Sequence, residues 1–124
     1  MYESNERENQ MNYENIAQEA STAAFEAADK FFQEKLGGVD QYACGFAWVT
    51  VYPENKGNTR LGKQERRVLE SMGFRKDWTG KAWQMWNPSK YACQNIDTLE
   101  AGASAAAEVF KQYGFKAYAG SRLD

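Results

Sequence analysis

Ala47-Trp48-Val49-Thr50-Val51-Tyr52-Pro53 recurs as Ala82-Trp83-Gln84-Met85-Trp86-Asn87-Pro88. Each copy is followed by a helix-like segment that closes on glycine, phenylalanine and a base: Gly73-Phe74-Arg75 after the first, Gly114-Phe115-Lys116 after the second. The echo reads as two copies of one strand-helix-strand unit. Two right-handed crossovers joined by a hairpin predict an α+β, ferredoxin-like βαββαβ fold: an antiparallel four-stranded sheet with two helices on one face.

Within the first copy, residues 42–52 alternate as a strand does. Phe46, Trp48, Thr50 and Tyr52 share one face, and Ala47, Val49 and Val51 the other. Pro53, which cannot donate to a ladder, ends it. Residues 54–62 form a loop, and residues 63–72 a helix with Val68, Leu69 and Met72 inward and Gly73 as its stop. Residues 74–78 and 81–86 are two short aromatic strands around Thr79-Gly80, the spacing of a tight hairpin. Asp97-x-x-Glu100 has the form of a capping box opening a helix with Leu99, Ala103, Ala106, Val109, Phe110 and Tyr113 as its buried stripe and Gly114 as its stop. Residues 115–119 make the last strand, and residues 121–124 a frayed tail. Aligning the copies puts Trp83 with Trp48 on the open face and Ala82 with Ala47 against the helices. It also sends Gln84 inward opposite Val49, which demands a bulge or a slip of one residue.

Ahead of the repeat, Ile16, Ala20, Ala23, Ala24, Ala27, Ala28, Phe31 and Phe32 recur at helical intervals and Gly37-Gly38 supplies a left-handed stop, so residues 12–36 are predicted as a long amphipathic helix. Its alanine stripe allows close approach by another helix; the helix is expected to pack on its own sheet or, in part, to pair with a second subunit. Residues 1–11 are rich in Glu and Asn and predict a disordered leader. Residues 12–124 then form one domain, which suits a chain of 124 residues.

The net charge of −2 conceals an asymmetry. Residues 1–40 carry nine acids and three bases (−6), and residues 41–124 eight acids and twelve bases (+4). A basic body suggests an anionic partner. No apolar run reaches the ~20 residues of a membrane span, and no signal-peptide layout is present, which predicts a cytoplasmic protein. The chain has no histidine, which removes the commonest zinc ligand and general base, and with it Ser-His and Cys-His nucleophile pairs. Cys44 and Cys93 are too few for a disulfide framework and read as small buried hydrophobes. No cofactor or metal site, and no catalytic residue, is expected; an enzyme working through Asp and Lys alone is the residual possibility.

Binding chemistry is better represented. An antiparallel sheet covered on one side would expose Phe46, Trp48, Tyr52, Trp83 and Tyr118 with Arg75 and Lys116 beside them, the pairing of rings and cations that holds nucleobases and phosphates. The loop of residues 55–63 runs into a helix N-terminus and carries Gly57, Arg60, Gly62 and Lys63, suiting an anion. It is not a Walker loop, because Gln64 stands where Ser or Thr would bind magnesium. Trp86-Asn87-Pro88 could present Asn87 as a polar contact. The predicted ligand-binding residues are Trp48, Arg60, Lys63, Trp83, Trp86, Asn87 and Arg122: indoles for a base, cations for phosphate, Asn87 for specificity.

Gly45-Phe46-Ala47-Trp48-Val49, Trp86-Asn87-Pro88, Glu100-Ala101-Gly102-Ala103 and Ser121-Arg122-Leu123-Asp124 together resemble a group of small proteins of unassigned role in tailed bacteriophages, over roughly residues 43–124. The resemblance implies a phage accessory protein acting in the host cytoplasm, where such proteins bind and neutralise a host factor or an immune signal. The expectation is therefore a non-enzymatic, homodimeric or larger binding protein that sequesters a small anionic or nucleotide ligand in counter-defence. The alternatives are a protein-protein inhibitor of a host enzyme and a single-strand nucleic-acid binder.

Overall fold

The computed structural model describes the backbone of residues 2–124 and the side chains of residues 12–124. Its elements run α1 (Tyr2–Leu36), β1 (Gly45–Val51), α2 (Arg60–Ser71), β2 (Arg75–Lys76), β3 (Trp83–Trp86), α3 (Ile96–Gln112) and β4 (Ala117–Leu123). The sheet order is β2-β3-β1-β4, with all three pairings antiparallel. Helices α2 and α3 each join two strands that are separated by a third, the ferredoxin-like arrangement that the repeat predicts. Helix α1 begins at Tyr2, upstream of residue 12; the disordered leader expected over residues 1–11 falls on residues whose side chains lie outside the described ones.

Period-two alternation in β1 divides the sheet into two chemically distinct faces. Ala47, Val49 and Val51 are buried against α3, as is Ala117 of β4, and Trp83 of β3 is buried in the same core. Phe74 and Phe110 meet edge to face at 5.1 Å in the centre of this core, with Leu69 and Met72 from the α2 segment beside them.

Helix α1 lies antiparallel along α3. Its early residue Glu19 accepts a hydrogen bond from Tyr113 at the far end of α3 (2.6 Å), its middle residue Ala24 faces Gly102, and Asp29 accepts from Tyr91 (2.6 Å), upstream of α3. Ile16, Ala20, Ala24 and Ala28 recur every fourth residue and are buried in this contact. The alanine stripe is thus covered within the chain, by a helix and not by the sheet. The approach is close enough that a Cβ on Gly102 would stand 2.8 Å from the Ser89 Cβ and 3.2 Å from the Ala24 carbonyl oxygen. The glycine stop after α1 holds: Gly37 and Gly38 adopt φ of 64° and 78°, and the Gly38 N–H returns to the Phe32 carbonyl at 3.0 Å.

Several boundaries differ from the sequence-based ones for local reasons. Helix α2 starts at Arg60, not residue 63, because the Thr59 hydroxyl accepts from the Gly62 N–H at 3.0 Å. Helix α3 is capped by Asn95, which accepts from the Thr98 N–H (2.8 Å) and hydroxyl (2.9 Å), and not by Asp97. The β2–β3 turn is longer than Thr79-Gly80: Asp77 accepts from the Thr79 hydroxyl and the Gly80 N–H, and these bonds hold its carboxyl below the usual range. Finally, β4 extends to Leu123, so the residues read as a frayed tail pair with β1 back to Gly45.

Two outcomes test this packing. Gly102→Val should destabilise the fold by about 1–3 kcal/mol in urea titrations, as overpacking does. The Tyr91 phenol is raised above its ordinary value, first because it donates to the Asp29 carboxylate and then by burial. A raised folded value means the bond's contribution is complete below the ordinary tyrosine range and lost as pH climbs through it. The stability advantage of the wild type over Tyr91→Phe should therefore be constant up to about pH 9 and shrink above about pH 10.

Candidate functional site

The open face of the sheet is built by register. In antiparallel pairing, directly opposed residues point to the same side. Phe46, Trp48 and Thr50 of β1 oppose Arg122, Gly120 and Tyr118 of β4; Trp48 and Thr50 also oppose Trp86 and Gln84 of β3, and Gln84 opposes Arg75 of β2. These nine positions hold four aromatic rings, two arginines and no carboxylate.

The rings fall into two groups along the face. Trp48 and Trp86 are tilted together with centroids 4.7 Å apart, and Phe46 meets the edge of Trp86 at 6.2 Å. Beyond the end of β1, Tyr52 meets Tyr118 at 6.0 Å. The Trp48 indole lies flat across Gly120, where a Cβ would come within 2.6 Å of its atoms. Only glycine at 120 admits the ring in that pose. Trp86 is held by its Nε1–H donating to Gln84 Oε1 at 3.2 Å. Two cations address the rings: the Arg122 guanidinium lies 5.6 Å from the Phe46 centroid and the Lys111 amine 5.7 Å from that of Tyr118. Phe46, Tyr52, Trp86 and Tyr118 are each between 40% and 54% exposed, far above what a core ring shows.

Of the residues predicted to bind ligand, the structure brings Trp48, Trp86 and Arg122 together and separates the others. Trp83 is a correction: it is 3% exposed, opposite Val51, and faces the helices. Its indole N–H is buried without a partner among the described residues, whereas a buried indole usually finds one. The slip of one residue allowed for in the repeat is real, and it places Gln84 and Trp86 outward. Arg60 and Lys63 lie in the first turn of α2, reached through the loop that leaves the Val51 end of β1, while Arg122 opposes Phe46 near the other end. Asn87 has φ 44° in the turn after β3, and its side chain already accepts from the Ser89 hydroxyl at 3.0 Å. Gln84 and Arg75 complete the face; the pairing of Trp86 rather than Trp83 with Trp48 is the signal that would have located Gln84.

The expected anion cradle at α2 is closed upon itself. Thr59 accepts from the Gly62 N–H, the Lys63 N–H reaches the Thr59 carbonyl, and the Glu65 carboxylate takes the backbone N–H groups of Glu54 (2.8 Å) and Asn55 (3.0 Å). Arg66 bridges the Asn55 and Gly62 carbonyls, both at 2.9 Å. The N–H groups of Glu54, Asn55, Thr59, Gly62 and Lys63 are thus occupied by the loop itself. A Cβ on Gly62 would stand 1.8 Å from the Lys56 carbonyl oxygen, so this glycine serves loop closure.

A cleft of about 610 Å³ borders that loop and Tyr52, beside α2 and the α3–β4 junction, with Leu61, Val68, Tyr113 and Phe115 among its apolar walls. Its rim mixes Glu54 and Glu65 with Arg67 and Lys116, so it lacks the single sign of charge found on the sheet face. Burial pushes the Cys93 thiol above its ordinary value, which lowers its thiolate fraction and its reactivity. Among the described residues no three Cys, Asp or Glu side chains gather as a metal site, and no helix is long and apolar enough to cross a membrane. Comparison with protein-family models, with curated proteins and with solved structures finds no match to this chain.

The closed loop yields a direct outcome. Gly62→Ala should lower stability by about 1–3 kcal/mol through overpacking on the Lys56 carbonyl, read as a reduced midpoint in urea denaturation.

Proposed function

We propose that this chain is a non-enzymatic binding protein that stacks nucleobases on its open sheet face and meets their phosphates with Arg122 and Arg75. The observation that carries this reading is the composition of the face: four rings, three of them in mutual contact through Trp86, and two arginines, with no carboxylate to repel an anion. Stacking on such rings is worth about 1–3 kcal/mol per base, and every base has a face to offer. A nucleotide supplies the flat ring and the negative charge in one molecule.

Small anionic nucleotides, such as cyclic dinucleotides, are the first ligand class. A short single strand is the second reading, favoured by the length of the row: the seven residues of β1 span roughly 20 Å at about 3.3 Å each. That is room for several bases. The resemblance to small tailed-phage proteins supports the setting, the cytoplasm of an infected bacterium, where sequestering a nucleotide signal would act as counter-defence.

Titration of tryptophan fluorescence with cyclic dinucleotides and with short DNA and RNA oligonucleotides tests the proposal. Saturable quenching is expected from at least one of them. Trp86→Ala and Arg122→Ala should weaken it by roughly 5- to 100-fold, whereas Arg60→Ala and Lys63→Ala should leave it within about twofold, as screened charges away from the platform do. A steep loss of affinity with added salt would identify the strand as the ligand. Absence of quenching throughout, or Arg60→Ala proving as damaging as Arg122→Ala, would refute the reading.

A further inference from the structure

We infer that the free edge of β4 pairs with the same edge of a second copy of this chain, in a register centred on Gly120, joining two four-stranded sheets into one. The inference goes beyond the nucleotide reading and does not depend on it.

The two sheet edges are unlike. At one, β2 is only two residues long and both are charged, Arg75 and Lys76, which is how edges are guarded against pairing. At the other, β4 runs seven residues, Ala117–Leu123, with no proline, no lysine and a single charge. An edge of that length and smoothness is a template for another strand.

The direction of its free backbone groups follows from the ladder with β1. The Tyr52 N–H donates to the Lys116 carbonyl at 3.1 Å and the Asp124 N–H to the Cys44 carbonyl at 3.0 Å. In an antiparallel ladder the residues bonded to the neighbour alternate, so the even-numbered residues of β4 are engaged with β1. The N–H and C=O groups of Ala119, Ser121 and Leu123 therefore point outward. The Ala117 N–H is taken by the Phe115 carbonyl at 3.0 Å, leaving its carbonyl as an acceptor.

Charge selects the register. With Gly120 opposite Gly120 of the second copy, Ala119 meets Ser121 and Ala117 meets Leu123, which bonds outward-pointing groups to one another. The same alignment sets Lys116 against Asp124, opposite charges at both ends of the pairing, and Tyr118 against Arg122. Shifting the register so that Ala119 faces itself would oppose Lys116 to Arg122, a like-charge pair that destabilises a sheet. Antiparallel continuation puts both open faces on one side. Arg122, already 5.6 Å from its own Phe46 ring, then also adjoins Tyr118 of the second copy, and the exposed Lys111 amine over that ring gives way to it. The two aromatic rows become one surface, to which each copy contributes a cation.

Sedimentation velocity on the full chain at micromolar concentration tests this. The wild type should sediment as a dimer. Ala119→Pro removes an outward N–H without touching the ladder to β1 and should give a monomer with an unchanged circular dichroism spectrum. Should that variant fail to fold, charge exchange decides. Lys116→Glu should raise the dimer dissociation constant by about tenfold, and adding Asp124→Lys should restore it, since two symmetric pairs change sign. A monomeric wild type, a dimer that survives Ala119→Pro with the fold intact, or a Lys116→Glu defect that Asp124→Lys does not rescue would each overturn the inference.

Discussion

The alternation along β1 is the constraint on which the rest of this molecule depends. Ala47, Val49 and Val51 are almost without exposure and hold the strand to α3, while Phe46, Trp48 and Thr50 must then face away. Because β1 is central, bonded to β3 on one side and β4 on the other, its phase dictates the phase of both neighbours. A shift of one residue would exchange the faces and bury the indoles where valines now sit. The aromatic surface is thus a consequence of core packing, since the same hydrophobic burial that orders the fold leaves the rings on the outside.

Secondary features secure that arrangement. Gly120 gives the Trp48 indole a bed of bare backbone, and Gln84 fixes the Trp86 indole through its N–H. On the covered side, Gly102 lets α1 approach α3 closely, and the segment between α1 and β1 is tied down by Asp40, which accepts from the N–H groups of Gln94 (2.9 Å) and Asn95 (3.1 Å). The start of α3, the end of the α1 connection and the entry to β1 are thereby one hydrogen-bonded corner. Pre-organised rings lose less freedom on meeting a ligand than mobile ones would.

The order of elements, the one-sided sheet and the exposure of Phe46, Trp48, Tyr52 and Tyr118 were legible in the sequence, because period-two alternation and the repeated Gly-Phe-basic closure both report on burial. Trp83 was not, for a physical reason. A four-residue strand Trp-Gln-Met-Trp offers one indole to each face, and internal similarity to β1 argues for the wrong one; only the pairing of Trp48 with Trp86 decides. A glycine-bearing basic loop before a helix made Arg60 and Lys63 an anion-site expectation, and Thr59, Glu65 and Arg66 occupy part of that loop's donors and acceptors internally, a competition that spacing does not reveal. The chain's last strand was underestimated for a related reason: Ala, Gly and Ser carry little strand signal alone, and it is the bond from Asp124 to Cys44 that extends it.

The most direct test of the central claim is the indole region of a two-dimensional NMR spectrum of the labelled protein during titration with a nucleotide or a short oligonucleotide. The chain has four tryptophans, so each indole can be assigned by substitution. The indole signals of Trp48 and Trp86 should move together and saturate, while that of Trp83, sealed behind the sheet, stays in place. Shifts confined to residues of the cleft beside α2, with Trp48 and Trp86 unmoved, would contradict the account.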